Sequence, residues 1–330
     1  MRDIMCSMTL PEPLLRETRR IPRIAVLIPC FNEAVAIARV IGDFRAALPQ
    51  ATIYVYDNNS TDDTVEVSRK AGAAVRREPL QGKGNVVRRM FADIEADVYV
   101  LVDGDGTYDA SAAPALVERL LNDELDMVTG VRIAESASAY RAGHAFGNRA
   151  LTGVVANIFG NRCADMLSGY RAFSRRFVKS FPALATGFEI ETELTVHALE
   201  LRMPIADVPT RYGSREAGSS SKLHTVRDGL RIGKTIVHVV KEERPLQFFS
   251  LTALLFSLAS LLFGYPVLVT YIETGLVPRL PTAILAMGLM IIATLSFTAG
   301  VVLDSISNAR RELRRLRYLD IPLCRSERGS

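Results

Sequence analysis

The sequence predicts an α/β domain with a mostly parallel sheet, followed by a hairpin of two membrane-spanning helices. Strand-like and helix-like segments alternate through the first third of the chain, which is typical of a parallel sheet covered by helices on both faces. Two long uncharged runs follow near the C-terminus. With 330 residues, 48% hydrophobic and 23% charged, the chain is globular or membrane-attached and not disordered.

The predicted elements follow from hydrophobic periodicity, from β-branched runs and from capping residues. In chain order they are a buried strand at 24–29, a helix at 35–48, a strand ending at Asp57, a helix to about Lys70, a strand in AAVRRE, a helix at about 86–94 and a strand at 98–102. Ligands bind beyond the carboxyl ends of the strands in sheets of this kind. Asp57 and Asp103 each follow a strand, so we expect both at the ligand-binding edge.

Asp103 and Asp105 lie one residue apart in the stretch DGDGT. Two such carboxylates can hold one hard divalent cation that takes its remaining ligands from waters and substrate phosphates. A tight turn built from Asp and Gly has the same sequence signature. The chain contains neither G-x-G-x-x-G after the first strand nor a G-x-x-x-x-G-K-[ST] motif, which argues against a dinucleotide oxidoreductase and a P-loop NTPase.

Two segments, 246–272 and 280–303, contain no charged side chain, and each exceeds the roughly 20 residues that a membrane-spanning helix needs. A pair of buried helices in a soluble core is the alternative. Lys241 and Arg244 precede the first segment, and five arginines between 310 and 317 follow the second. The positive-inside rule therefore predicts that residues 1–245 and the C-terminal tail lie on the cytoplasmic side of the inner membrane.

The net charge and the cysteine content limit which binding partners and which cellular compartment we expect. The formal net charge of +4 is too small to imply nucleic acid, and the four cysteines form no C-x-x-C pair, which favours free thiols in a reducing compartment. We expect no signal peptide, because the first twenty residues lack a continuous apolar core. In segment 221–245, apolar residues at helical spacing form one face and basic residues form another. This pattern predicts an amphipathic helix in the membrane interface or, alternatively, a helix packed on the domain.

Six motifs, VLIPCFNEA, DNNSTDDT, GKGNVVRRM, DGDGTYD, DMLSGYRAFSRRF and RYGSREAGSSSKL, occur in an order and spacing that resemble family 2 glycosyltransferases. The resemblance is to the polyprenyl-phosphate glycosyltransferase branch that includes dolichyl-phosphate mannose synthase, and it covers about residues 22–245 and the two apolar segments. It implies a Rossmann-like GT-A fold, a nucleotide-diphosphate sugar donor (UDP- or GDP-sugar), Mg²⁺ or Mn²⁺, and transfer of a hexose with inversion to polyprenyl phosphate.

The resemblance also implies roles for individual residues. It assigns donor binding to Pro29, Asn32, Glu33, Asp57, Lys83 and Asp103, metal binding to Asp103 and Asp105, and catalysis to Asp103, Asp105 and Arg132. We expect the acceptor phosphate to meet the cationic side chains of Arg132, Arg149 (with Arg141 as its alternative), Arg171, Arg215 and Lys222. Many relatives have Asp-Ala-Asp-Leu-Gln where this chain has DGDGT, which places Thr107 at the position of the Gln.

Some of these residues also fit structural roles. Glu33 can cap the following helix, Lys83 can be a solvated surface charge, and Asp165 and Ser168 can cap a turn. Glu189 and Glu193 share one face of a predicted helix and repel each other, which predicts a cation or a sugar nearby, or else a solvated acidic face. Glu189 is the candidate sugar contact, and Glu191 lies on the opposite side.

The sequence predicts five regions and one leading function. The regions are an N-terminal extension (1–21), a GT-A domain (22–220), a basic interfacial helix (221–245), a transmembrane hairpin (246–304) and a basic cytoplasmic tail (305–330). A phosphate acceptor needs no strong base, and the four histidines lie outside the stretch from Asp103 to Asp105, which we call the metal motif. The leading function is the glycosyl transfer that the resemblance implies, and a non-catalytic nucleotide-binding membrane adaptor is the alternative to it. A polysaccharide synthase is disfavoured because the chain has no tryptophan for a Gln-x-x-Arg-Trp motif. Homo-oligomers through the hairpin are compatible with the sequence.

Overall fold

The computed structural model describes residues 21–134, 164–184, 187, 189–213 and 244–322, together with positions 153, 237 and 241. Within these residues the strands form one seven-stranded sheet in the order β3-β2-β1-β4-β6-β5-β7. Helices cover both faces of the sheet, and two long helices follow it. The predicted fold class, an α/β domain with a C-terminal helical hairpin, is confirmed.

The described elements have the following bounds. The strands are β1 (Ile24–Cys30), β2 (Thr52–Asp57), β3 (Ala74–Arg77), β4 (Val98–Leu101), β5 (Met127–Ala134), β6 (Arg171–Ser174) and β7 (Ile205–Tyr212). The helices are α1 (Ile37–Ala47), α2 (Thr64–Lys70), α3 (Lys83–Asp93), α4 (Ala113–Asn122), α5 (Arg175–Ser180), α6 (Ile190–Glu200), α7 (Pro245–Thr274) and α8 (Leu280–Leu319). A short 3₁₀ turn, Ala110–Ala112, precedes α4.

Most neighbouring strands run parallel. β1 pairs in parallel with both β2 and β4, β2 pairs in parallel with β3, and β5 pairs in parallel with β7. β6 lies between β4 and β5 and is antiparallel to both. The carboxyl ends of β1, β2 and β4 therefore meet at one edge of the sheet.

The centre of the sheet is buried on both faces, as expected for parallel strands with apolar side chains at consecutive positions. Val26 and Ile28 of β1 belong to a hydrophobic cluster with residues of α1 and α4, whereas Leu27 belongs to a cluster on the other face with residues of α3, α5 and α6. The elements predicted before β5 lie within a few residues of their observed bounds. Helix α3 starts three residues earlier than predicted, at Lys83, after Gly82 with φ of 128°.

The structure contradicts one site prediction, phosphate binding by Arg171. Arg171 is fully buried at the start of β6. Its guanidinium donates to the carbonyl oxygens of Ser168 (2.9 Å) and Met166 (2.6 Å) and to the hydroxyl of Thr195 (2.7 Å). Because these groups occupy its donors inside the fold, Arg171 ties the preceding loop to α6 and is not exposed to an acceptor.

The described part of the chain contains two helices that are long and apolar enough to cross a membrane, α7 and α8, whose apolar 18-residue stretches have mean hydropathies of 1.9 and 2.1. Small residues at seven-residue spacing on α8, namely Ala286, Ala293 and Gly300, are buried against α7. The hydroxyl of Ser260 on α7 donates to the Ala286 carbonyl oxygen at 2.7 Å. Small residues let two helix backbones approach closely, which is a common packing mode in membranes.

Helix α8 continues past the predicted end of the second apolar segment to Leu319 and packs on the α/β domain. Arg311 and Arg314 bond to the buried carboxylate of Glu200 at the end of α6, at 3.3 and 2.6 Å. The hydroxyl of Tyr318 donates to the buried carboxylate of Asp126 at 2.7 Å. Residues 305–319, which the sequence suggested as part of a basic tail, therefore form a helix docked on the domain.

Candidate active site

Two loops interlock at the carboxyl edge of the sheet. Asn32, in the loop after β1, has a left-handed backbone with φ of 55°. Its backbone N–H donates to the hydroxyl of Ser60 at 2.9 Å, and its side-chain oxygen accepts from the Thr61 N–H at 2.8 Å. The Glu33 N–H donates to the hydroxyl of Thr64 at 2.9 Å. These bonds hold the loops after β1 and β2 as one surface.

Asp57 ends β2 beside these loops. Its side chain is buried, and both carboxylate oxygens accept from the Ser60 N–H, at 3.1 and 3.3 Å. Arg77 lies 3.9 Å from the same carboxylate. The predicted edge position of Asp57 is confirmed. Pro29 occupies the penultimate position of β1, next to this surface.

A buried cluster of three charges lies at the end of β4. The ammonium of Lys83, the first residue of α3, contacts the carboxylates of both Asp103 and Glu191. The side chains of Lys83 and Glu191 are 9% and 7% exposed, whereas that of Asp103 is 31% exposed and faces the edge of the sheet. Lys83 is therefore not a solvated surface charge.

The electrostatics keep Lys83 charged. Burial lowers the pKa of its ammonium, but the charges of Asp103 and Glu191 outweigh burial, so the pKa lies above its ordinary value. One carboxylate oxygen of Glu191, Oε2, is buried and has no hydrogen-bond partner. Buried carboxylate oxygens usually accept a hydrogen bond, so an oxygen without a partner next to the Lys83 ammonium is unusual.

The second metal-motif residue, Asp105, is buried. Its Oδ1 accepts from the backbone N–H of Thr107 at 3.2 Å and from the Thr107 hydroxyl at 2.7 Å. Gly106 between them adopts φ of 71°, in the left-handed region that glycine favours. Thr107 thus orients the Asp105 side chain.

Gly169 is a site residue that sequence reasoning missed. A Cβ at this position would overlap the carboxylate of Asp103, with Oδ2 its nearest atom. The Gly169 N–H donates to the Tyr108 hydroxyl at 2.8 Å. Burial, reinforced by the charge of Asp103, raises the pKa of Tyr108 above its ordinary value, so Tyr108 remains a neutral hydroxyl beside Asp103. Gly169 in the motif LSGYR therefore makes room for the metal-motif carboxylate.

Arg132 in β5 forms a bidentate pair with Asp165. Its Nε and Nη2 donate to the two carboxylate oxygens at 2.7 and 2.8 Å. Burial alone would raise the pKa of Asp165, but the bonds and charge of Arg132 outweigh it, and the pKa lies below its ordinary value. The guanidinium also lies over the ring of Tyr212, 5.5 Å from its centroid. Asp165 thus orients Arg132, and its Oδ1 also accepts from the Leu167 N–H at 3.3 Å, so it caps the turn as well.

Known proteins with similar sequences identify the family. Residues 25–181 match the model described as glycosyl transferase family 2. Glycosyltransferase AglJ of Haloferax volcanii is 37% identical over 228 residues, covering 68% of this chain and 75% of that protein. Dolichyl-phosphate hexose transferase of the same organism is 32% identical over 222 residues, covering 67% of this chain and 95% of that protein. This chain belongs to glycosyl transferase family 2.

A solved structure shares the fold of the α/β domain. Glucosyl-3-phosphoglycerate synthase from Mycobacterium tuberculosis, in complex with phosphoglyceric acid, superposes with a TM-score of 0.54 at 25% identity. The match covers 66% of this glycosyltransferase and 79% of the synthase. The family assignment made from the six sequence motifs is confirmed.

The carboxylates of this glycosyltransferase fit a divalent ion that is shared with a substrate. The described residues contain no group of three or more His, Cys, Asp or Glu that forms a complete metal site. Mg²⁺ commonly takes only one or two protein carboxylates and completes its shell with waters and phosphate oxygens. Asp103, partly exposed, and Asp105, oriented by Thr107, match that donor set.

The described residues bring together only part of the predicted site. Lys83 and Asp103 meet after the end of β4, Asp105 lies two residues further along the chain, and Glu189 occupies the N-cap position of α6. Glu193 accepts from the Leu184 N–H at 2.9 Å. Arg149, Arg215, Lys222 and most of the predicted interfacial helix 221–245 lie outside the described residues.

Sequence reasoning missed Glu191, the partner of Lys83. Helix α6 is buried over most of its surface, so its apolar pattern does not distinguish an inward from an outward face. Glu191 and Lys83 are 108 positions apart, and no local signal in the sequence pairs them. The only indication in the sequence was that Glu191 points away from Glu189 and Glu193.

Proposed function

We propose that this glycosyltransferase transfers a hexose from a nucleotide-diphosphate sugar to polyprenyl phosphate, with inversion, at the cytoplasmic face of the inner membrane. The observation that carries the proposal is the joint arrangement of two parts. A partly exposed metal-motif carboxylate lies at the edge of a domain on which the apolar helix α8 is docked. The match to dolichyl-phosphate hexose transferase supports a lipid acceptor.

The donor would lie along the carboxyl edge of the sheet. Pro29, Asn32 and Glu33 line the end of β1, and Asp57 would accept from an N–H of the base. The Lys83 ammonium and the N-terminus of α3 contribute positive charge near the diphosphate. Glu189, the N-cap residue of α6, is the proposed sugar contact.

Asp103 and Asp105 would hold Mg²⁺ or Mn²⁺, which when bound stabilises the negative charge that develops on the leaving nucleoside diphosphate. Within the cluster, Thr107 fixes the orientation of Asp105, and Gly169 leaves the space that the Asp103 carboxylate occupies. These residues therefore keep both carboxylates in place before the donor arrives.

The acceptor is proposed to need cations and not a base. A phosphate monoester has a second pKa near 6, so much of it is already dianionic at neutral pH. The one described histidine of the domain, His197, is buried between Phe177 and Phe181, and burial lowers its pKa to about 3. Arg132, oriented by Asp165, would face the acceptor phosphate together with Arg149, Arg215 and Lys222.

We also propose the organisation that places this reaction at the membrane. The GT-A domain (22–220) is followed by an interfacial helix (221–245) and by a transmembrane hairpin formed by α7 and α8 up to residue 304. The basic residues that flank the hairpin would keep the domain and the C-terminus cytoplasmic. Self-association would occur through the hairpin.

Transfer assays with the full-length protein in detergent test the proposal. Radiolabelled UDP- and GDP-sugars with polyprenyl phosphate should yield a labelled lipid that is lost on adding EDTA and in Asp105→Ala. Asp123→Ala, which changes an exposed aspartate at the end of α4, is the matched control and should leave the yield unchanged. Product that persists in EDTA, or nucleotide binding without transfer from any donor, would refute the proposed reaction.

A further inference from the structure

A buried ammonium, that of Lys83, contacts the carboxylate of Asp103, one of the two proposed metal ligands. The Lys83 ammonium contacts Asp103 Oδ1 and Glu191 Oε1, so one positive charge is shared by two carboxylates from different elements. A second cation that approached Asp103 would be repelled by this ammonium unless Lys83 moved. A divalent ion can therefore bind Asp103 favourably only if Lys83 moves away from it.

Glu191 offers Lys83 an alternative position. Its Oε1 already accepts from the ammonium, while its Oε2 is buried without a hydrogen-bond partner. A lysine ammonium has three donors on a flexible four-carbon stem, so a small rotation can bring both oxygens of one carboxylate within reach. Glu191 can therefore hold Lys83 without help from Asp103.

We propose that Lys83 is a placeholder cation that neutralises Asp103 in the metal-free enzyme and moves fully onto Glu191 when a divalent ion binds. Glu191 is then a positioning residue, because it withdraws the competing ammonium from the metal-motif carboxylate. The inference deepens the proposed function, on which it relies for the divalent ion. It differs from a simple donor contact, because it gives Lys83 a role before any donor binds.

The number of charges in the cluster explains why Lys83 is needed as a placeholder. Asp103, Asp105 and Glu191 carry three negative charges against the single positive charge of Lys83. Without the placeholder, Asp103 and Glu191 would both be unpaired charges in a largely buried site, which is costly. With a divalent ion present, the ammonium is released from Asp103 and remains near the donor diphosphate, paired with Glu191.

Manganese titrations of the full-length protein in detergent, followed by electron paramagnetic resonance without nucleotide, test this exchange. Lys83→Met removes the competitor and should tighten Mn²⁺ binding on the order of tenfold. Glu191→Gln leaves Lys83 on Asp103 and should weaken binding by a similar factor. A Lys83 that serves only as a donor contact predicts no change in either variant.

The double variant separates positioning from direct ligation. In Lys83→Met/Glu191→Gln the affinity for Mn²⁺ should equal that of Lys83→Met, because Glu191 has no ammonium left to withdraw. A loss of affinity in the double variant would mean that Glu191 is itself a ligand, and would overturn the placeholder role. Unchanged or weaker binding in Lys83→Met, or no binding by the wild type, would also overturn it.

Two controls keep the result interpretable. Lys70→Met removes an exposed lysine that pairs with Glu66 and should leave the affinity for Mn²⁺ unchanged. Lys83→Gln keeps a hydrogen-bond donor and, if Lys83→Met unfolds, should show the same tightening in a folded protein. If the titrations behave as expected while no lipid product forms, the placeholder stands and the proposed acceptor is wrong.

Discussion

Glycines beside the metal motif determine where its side chains lie. A Cβ on Gly104 would be 2.7 Å from the sulfur of Cys30, which is buried at the end of β1. A Cβ on Gly169 would overlap the carboxylate of Asp103. The packing of Cys30 against Gly104 therefore favours glycine between the two aspartates.

Gly169→Ala should reduce both Mn²⁺ affinity and transfer without unfolding the domain. The added methyl forces the Asp103 carboxylate to move, and misplacement by about 1 Å at a reacting centre costs on the order of 100-fold in rate. Gly42→Ala in α1 is the matched control, because its Cβ meets no atom within 4 Å. Equal transfer rates in the two variants would show that Asp103 does not need this space.

Gly104→Ala and Cys30→Ala should show strong coupling in a double-mutant cycle. Gly104→Ala alone overpacks the site and should lower the free energy of unfolding by about 1–3 kcal/mol. Removing the Cys30 sulfur opens the space, so the double variant should be more stable than the sum of the two single changes predicts. Additive effects, measured by denaturant unfolding in detergent, would contradict the contact.

At the scale of elements, helix α6 links the active site to the hairpin. Glu191 near its start holds Lys83, and Glu200 at its end accepts from Arg311 and Arg314 of α8. Helix α8 also crosses α5, where Arg176 stacks on the ring of Tyr318 at 4.9 Å from its centroid. The hairpin is therefore docked on the same helix that positions the charge cluster.

Tyr318→Phe should loosen this docking. The hydroxyl of Tyr318 donates to Asp126, a fully buried carboxylate, and its loss should lower the free energy of unfolding by about 1–3 kcal/mol. Amide hydrogen exchange in residues 311–319 should become faster. Tyr265→Phe, at a position 70% exposed on α7, is the control. Unchanged exchange in Tyr318→Phe would mean that the hydrogen bond does not hold α8.

At the scale of the whole molecule, burial of His197 makes folding sensitive to acid. The imidazole accepts from or donates to the Ser180 hydroxyl at 3.2 Å. Burial, reinforced by Arg314, lowers its pKa from 6.5 to about 3 in the folded state. As the pH falls, the unfolded chain takes up this proton first. The stability due to this histidine is therefore complete above about pH 6.5 and is lost as the pH falls toward 3.

His197→Gln should remove this pH dependence. Each pH unit below the unfolded pKa costs up to about 1.4 kcal/mol, so the stability advantage of the wild type over the variant should shrink by about 2 kcal/mol between pH 7 and pH 5. Urea unfolding of both proteins across that range measures the difference, and contributions from other titrating groups cancel. Parallel curves would show that His197 is protonated equally in both states.

The fold class, the order of strands and helices from β1 to β4, the two long apolar helices and the edge position of Asp57 and Asp103 all followed from the amino-acid sequence. Each depends on local properties, because hydrophobic periodicity, capping residues and charge-free length are read within a window of a few turns. The parallel sheet then places every strand end at a common edge, which is why aspartates after two strands could be expected to meet.

Only the tertiary structure decided which side chains meet across the sheet. The pairing of Lys83 with Glu191, the fit of Gly169 against Asp103, the burial of Arg171 and the docking of α8 all join residues far apart in the chain. The fit of Gly169 against Asp103 and the burial of Arg171 depend on the antiparallel strand β6 lying between β4 and β5, because both residues are at or just before the start of that strand. Hydrophobic periodicity does not reveal where β6 lies in the sheet, because a buried strand has the same apolar pattern in either direction.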